Sequence, residues 1–105
     1  MQTSNVLAAL AALAQDSRLA VFRLLVQAGP AGLAASKIAG QLDLAPSSLS
    51  FHLKELSHAG LVVGRQAGRF VIYSANFDTM HGLIAFLTEN CCGGQSCAPA
   101  AKECR

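Results

Sequence analysis

The chain has 105 residues, a formal net charge of +2, 52% apolar residues and four cysteines. That length gives one domain with a modest core, and no basic tail marks the chain as a nucleic-acid binder by bulk charge alone. The sequence offers no nucleophile beside a recognisable base, no paired carboxylates and no phosphate-cradling loop, so an enzyme is not expected.

Residues 1–15 (MQTSNVLAALAALAQ) carry an apolar run ending in ALAQ, like a signal-peptide cleavage site, but lack a positive leading segment. Ser4 or Asn5 can cap a helix, and Val6, Leu10 and Leu13 fall on one face, the pattern of an amphipathic helix at a dimer interface. Asp16 or Ser17 can cap a second helix that runs to about Ala28, buries Leu19, Phe22 and Val26, and stops at Gly29 and Pro30. Arg18 reads as a packed or paired side chain near that helix start. A short helix from Ala34 to Leu42 presents Ile38 and Leu42 to the core and leaves Lys37 exposed, and Asp43, Leu44 and Ala45 make the turn after it.

The next stretch, APSSLSFHLKELSHAGLVVGRQAGRFVIY, organises the chain. Pro46 suits a first helical position, Leu49, Leu53 and Leu56 recur at i, i+4 and i+7, and Gly60 ends the helix. The stripe leaves Ser47, Ser50, Phe51 and Lys54 on the far side, flanked by Ser48 and His52, as side chains that reach base edges or phosphates. Two β-rich runs follow, Leu61 to Gln66 and Arg69 to Ala75, with Ala67 and Gly68 as a tight turn. Between Glu55 and Asp78 the only charged side chains are Arg65 and Arg69, which makes this hairpin a positive wing able to meet phosphates or a minor groove. Helix plus wing is a DNA-reading head. Asn76 or Asp78 then caps a last helix whose stripe, Met80, Leu83, Ile84 and Leu87, pairs with the first helix across a two-fold axis. His81 on that helix reads as exposed or satisfied within the core.

All four cysteines, at 91, 92, 97 and 104, fall in the segment NCCGGQSCAPAAKECR. A secreted protein would spread cysteines to staple its core, so the clustering indicates a reduced compartment and a metal or redox site. Soft thiolates select thiophilic ions over magnesium or calcium, and three of them suit the pyramidal coordination of As(III) or Sb(III). Cys91 and Cys92 are adjacent, Gly93 and Gly94 let the chain fold back, and Cys97 closes a three-thiolate set with Cys104 as the alternative third ligand. Zinc held by four thiolates and a thiol–disulfide switch are the competing readings. A small soft-metal carrier would explain the tail but not the head.

Three blocks in this order resemble the arsenic-responsive (ArsR/SmtB) family of bacterial winged helix-turn-helix metalloregulators. They are Asp16, Ser17 and Arg18 before a Leu-rich helix, SSLSFHLKEL running into AGLV, and the Arg-flanked hairpin ending in Val71, Ile72 and Tyr73. The resemblance covers roughly residues 5 to 90 and implies a mainly α fold with a small β-hairpin, in the order α-α-α-α-β-β-α, acting as a homodimer. Residues 1–90 would form the DNA-binding and dimerisation domain and 91–105 a Cys-rich metalloid-binding tail. It further implies a cytoplasmic repressor that binds double-stranded operator DNA, away from any membrane, and leaves it when As(III) or Sb(III) binds Cys91, Cys92 and Cys97. Bases would be read by Ser47, Ser48, Ser50 and Phe51, with His52 beside them in the DNA-binding set, and phosphates held by Lys54, Arg65 and Arg69. The chain departs from the family in two places. Arsenic-sensing members often carry a Cys pair near the helix before the recognition helix, whereas residues 32–38 have none. The Asp/His and His/Glu pattern of zinc- or nickel-sensing members is likewise not reproduced by Asp78, His81 and Glu89.

Overall fold

The computed structural model describes residues 1–94. In chain order the elements are α1 (Thr3–Leu13), α2 (Asp16–Ala28), β1 (Leu33–Ala34), α3 (Ala35–Leu42), α4 (Pro46–His58), β2 (Val62–Ala67), β3 (Phe70–Ala75) and α5 (Phe77–Leu87), followed by a 3₁₀ turn at Cys91–Gly94. Five helices and a small antiparallel sheet make a winged helix-turn-helix.

The core gathers around α2, whose Val21, Phe22 and Leu25 are buried. Against it pack Ile38 of α3, Leu49, Leu53 and Leu56 of α4, Leu61 and Val62 entering β2, Ala75 leaving β3, and Leu83 of α5. Removing the apolar surface of these side chains from water is the main stabilising term, about 1.5–3 kcal/mol for each large one. Leu19 departs from expectation: it is 44% exposed. Helix α2 carries apolar residues on nearly every side, so periodicity alone does not single out the buried stripe, and packing selects Val21, Phe22 and Leu25. In α1 the buried pair is Val6 and Ala9, while Leu10 faces outward.

The caps also differ from the sequence reading. Helix α1 starts after Gln2, upstream of Ser4 and Asn5, with no side-chain cap. For α2 the cap is Gln15, whose Oε1 accepts the Arg18 backbone N–H at 2.9 Å; Asp16 instead lies in the first turn, where a carboxylate suits the helix dipole. Arg18 ties the two helices, its Nε donating to the Ala12 carbonyl at 2.8 Å, an oxygen at the end of α1 that has no helical partner. Asn76 caps α5 by accepting the Thr79 N–H at 3.2 Å, as expected.

The sheet has three strands in the order β1-β3-β2, so the hairpin is joined by a strand the sequence reading did not contain. Leu33 pairs with Tyr73 and Ala34 with Ile72. Gly32 makes this possible: at φ 73° it brings the backbone so close to β3 that a Cβ there would lie 2.3 Å from the Tyr73 carbonyl oxygen. Gly32→Ala is therefore expected to destabilise the fold by more than about 1 kcal/mol, read as a lower denaturation midpoint at unchanged m-value. The wing turn is shifted by one residue from expectation. Ala67 pairs with Phe70, so the two loop residues are Gly68 and Arg69, with positive φ at Gly68 alone, as a type II′ turn requires.

Among the described residues, no helix is long and apolar enough to cross a membrane.

Candidate functional site

Helix α4 begins at Pro46, whose absent N–H costs nothing at a first helical position. It follows a turn in which Asp43 adopts the left-handed conformation (φ 54°) and Leu44 N–H donates to the Ala39 carbonyl at 3.0 Å. That turn fixes α3 against α4. Burial of Leu49, Leu53 and Leu56 decides which side of α4 faces solvent. Ser47, Ser48, Ser50, Phe51 and Lys54 are all exposed on it.

Two side chains on this helix depart from what solvation alone would give. Phe51 is 55% exposed, a large apolar ring more than half open to solvent. His52 is half-buried; its Nδ1 is shut away from solvent with no hydrogen-bond partner among the described residues, and its ring meets Phe51 edge-on at 5.9 Å. His52 is thus set more deeply than the serines beside it.

In the wing both arginines are exposed, but they differ in their neighbours. Arg69 is exposed in the turn itself. Arg65 lies in the middle of β2 opposite Ile72, and its Nη2 donates to the Ala31 carbonyl at 3.2 Å. Arg65 thus has a hydrogen-bond partner within its own chain.

Thr88 closes α5 with its hydroxyl donating to the Ile84 carbonyl at 2.8 Å. The chain then coils through a run of left-handed residues, Asn90, Cys92, Gly93 and Gly94. Cys91 and Cys92 are exposed on this turn with their Sγ atoms 3.6 Å apart. Cys92 is disulfide-bonded. The remaining expected ligands, Cys97 and Cys104, lie outside the described residues. Among the described residues, no three His, Cys, Asp or Glu side chains are grouped to hold a metal ion, so Asp78, His81 and Glu89 do not form a site.

Four large apolar side chains of α1 and α5 are left uncovered by the subunit. Leu7 and Leu10 of α1 and Ile84 and Leu87 of α5 are exposed at 60%, 38%, 52% and 59%. Ile84 and Leu87 were expected in one stripe with Met80 and Leu83, but only Leu83 is buried. An open groove of about 490 Å³ lies where α1, α4 and α5 meet, lined among others by Asn5, His58, Asp78 and Thr79. Its one imidazole and one carboxylate are too few for a metal site.

A family model described as a helix-turn-helix domain matches residues 13–65, from the end of α1 to Arg65 in the wing. No curated protein matches the chain by sequence. Among solved structures, an ArsR-like transcriptional regulator from Rhodococcus sp. RHA1 is similar at 26% identity and a TM-score of 0.71, over 80% of this chain and 76% of that one. HlyU from Vibrio cholerae N16961 is similar at 25% identity and a TM-score of 0.67, over 88% and 99%. The homodimeric winged helix-turn-helix DNA-binding domain of Mb0332 from Mycobacterium bovis, a possible ArsR-family regulator, has 26% identity and a TM-score of 0.67, over 83% and 81%. The Rhodococcus protein is thus a transcriptional regulator and the Mycobacterium protein a possible one, of a family that is not enzymatic. With its helix-turn-helix, its wing and its α5 packed beside α1, the chain belongs to the helix-turn-helix domain family as an ArsR-type winged helix-turn-helix transcriptional regulator.

Proposed function

We propose that the protein is a homodimeric repressor that grips operator DNA and releases it when As(III) or Sb(III) is bound by the thiolates of Cys91, Cys92 and Cys97, with Cys104 as the alternative third ligand. The observation that supports this reading is the pair of exposed cysteine sulfurs 3.6 Å apart, just beyond α5. Two thiolates on one centre with bonds of about 2.3 Å stand roughly 3.4 Å apart at a pyramidal angle and roughly 3.8 Å apart at a tetrahedral one, so the pair can chelate a single centre with little movement. The donors are all soft sulfur, which favours a thiophilic ion over magnesium, calcium or manganese. Because Cys92 is disulfide-bonded here, the ion-binding state is the reduced one.

The exposed apolar side chains of α1 and α5 face a second copy of the chain in this reading, consistent with the homodimeric relative. Two-fold symmetry then sets the recognition helices into major-groove faces about 34 Å apart on a pseudo-palindromic site. Ser47, Ser48, Ser50 and Phe51 contact base edges, with the Phe51 ring suited to a thymine methyl, and Lys54 and Arg69 contact phosphates. The thiols adjoin the interface helix, so closing them round an ion shifts the separation of the two heads. A change from 1:99 to 99:1 between binding and non-binding states needs about 5.5 kcal/mol of preference, within reach of three metal–thiolate bonds.

Arg69→Ala is expected to weaken operator binding and to flatten its salt dependence by about 0.9 in log K against log salt for each wing. Fluorescence anisotropy across a KCl series measures this, and an unchanged slope would remove the wing tip from the DNA.

A second reading, a redox-switched repressor of the same fold, is favoured by the disulfide at Cys92. Gel shifts of one operator duplex with arsenite, zinc or peroxide separate the readings. Release by arsenite from fully reduced protein supports the metalloid sensor, release by zinc alone a zinc sensor, and release by peroxide alone the redox switch. A soft-metal carrier would bind ions without retaining DNA at all.

A further inference from the structure

We infer that Arg65 is a positioning residue that holds the wing at its working angle, leaving phosphate contact to Arg69; this rests on the reading of the protein as an operator-binding regulator. The sheet order β1-β3-β2 puts β1 and β2 on opposite sides of β3, and Ile72 is the Cα partner of both Ala34 and Arg65. A side chain that starts on β2 and bonds to Ala31, just upstream of β1, therefore spans the full width of the sheet. The Arg65 guanidinium does so, its Nη2 reaching the Ala31 carbonyl at 3.2 Å.

The far anchor is a stiff one. Ala31 lies between Gly29 (φ 83°) and Gly32 (φ 73°), and the backbone at Gly32 presses directly on Tyr73 of β3. Beyond it, β1 runs without a gap into α3, the first helix of the helix-turn-helix. The bond thus links the outer strand of the wing, whose other long edge has no neighbour in the sheet, to the segment that sets the start of α3. A two-stranded ribbon twists freely, and fastening its edge strand across β3 fixes the direction in which Gly68 and Arg69 point. A guanidinium is suited to this, since its fork of donors on a long stem reaches past a neighbouring strand.

The test compares wild type, Arg65→Met and Arg69→Ala as full-length reduced protein. Met keeps an apolar stem over Ile72 and loses both the charge and the donor. A net hydrogen bond is worth a factor of about three to ten in affinity when its loss must be made good on binding. Operator affinity of Arg65→Met at fixed KCl is therefore expected to fall about three- to tenfold, with the log K against log salt slope equal to wild type and the thermal midpoint nearly unchanged. In the DNA-free protein, the ¹⁵N order parameters of Gly68 and Arg69 are expected to fall in Arg65→Met and to stay at wild-type values in Arg69→Ala. A slope flattened in Arg65→Met as much as in Arg69→Ala would overturn the assignment, making Arg65 a phosphate ligand. Unchanged order parameters at the wing tip would overturn it too. If wild type binds no duplex at low salt, the regulator reading fails, while the DNA-free relaxation measurement still decides the tether.

Discussion

An operator complex formed by the Cys91→Ser, Cys92→Ser double variant is expected to survive arsenite concentrations that dissociate the wild type. Serine is close in size to cysteine but is a hard oxygen donor that stays protonated, so the variant cannot offer the soft thiolates that a pyramidal metalloid centre requires. Both side chains are exposed beyond the end of α5, far in sequence from α4 and the wing, so their replacement leaves the core and the DNA face as they are. Affinity for operator in the absence of arsenite should match wild type within about twofold, the scatter expected for surface substitutions within about 0.5 kcal/mol. Continued arsenite-induced release from the double variant would remove these two residues as ligands.

The other large effect concerns the surface between copies. Introducing Ile84→Asp together with Leu87→Asp should convert the protein to a monomer and weaken operator binding by about 10²–10⁴, the advantage that linking two half-site contacts confers. In the subunit these side chains are 52% and 59% exposed, so charging them leaves the fold intact, whereas burying carboxylates against α1 and α5 of a second copy is strongly unfavourable. Sedimentation should report a drop from twice the protomer mass of 10.9 kDa to the protomer mass, with an unchanged circular dichroism spectrum. A double variant that stays dimeric would place the two-fold contact elsewhere.

The recognition helix was legible because three independent signals agree there: Pro46 at the start, leucines at helical spacing, and Gly60 at the end with φ 77°. The structure ends α4 at His58 and turns at Ala59 and Gly60, close to the reading from periodicity. Strand β1 was not legible, since two residues cannot display an alternating pattern and its pairing depends on Gly32 meeting Tyr73, forty residues away in sequence by order of magnitude. The Arg65–Ala31 hydrogen bond was hidden for the same reason. Without β1 there is no nearby carbonyl to receive the guanidinium, and a cationic side chain on a hairpin reads as a free phosphate ligand. The cap of α2 was misplaced because Gln15 is a longer side chain than the usual capping residues and still reaches the Arg18 N–H. The wing turn slipped by one because glycine was placed last in the loop, although a type II′ turn needs it first.

Exposure of Ile84 and Leu87 was partly legible. The apolar stripe of α5 marked a face that needs cover, and the sequence reading assigned that cover to a second copy; only the structure separates Leu83, which its own subunit buries, from its neighbours, which it does not. The cysteine pair was legible as chemistry and not as geometry. Adjacency in sequence does not bring two Sγ atoms together, because neighbouring side chains diverge in extended chain; here the left-handed Cys92 (φ 58°) accompanies a separation of 3.6 Å.

In a metalloid-released repressor, DNA and a thiol-bound metalloid exclude one another. The direct measurement is the operator dissociation constant of fully reduced protein, by fluorescence anisotropy at one fixed salt concentration, with and without stoichiometric arsenite whose binding is verified by loss of titratable thiols. The account predicts affinity weakened at least about a hundredfold when the thiols are occupied, a coupling of roughly 2.7 kcal/mol. Equal dissociation constants with three thiols per subunit consumed would contradict it.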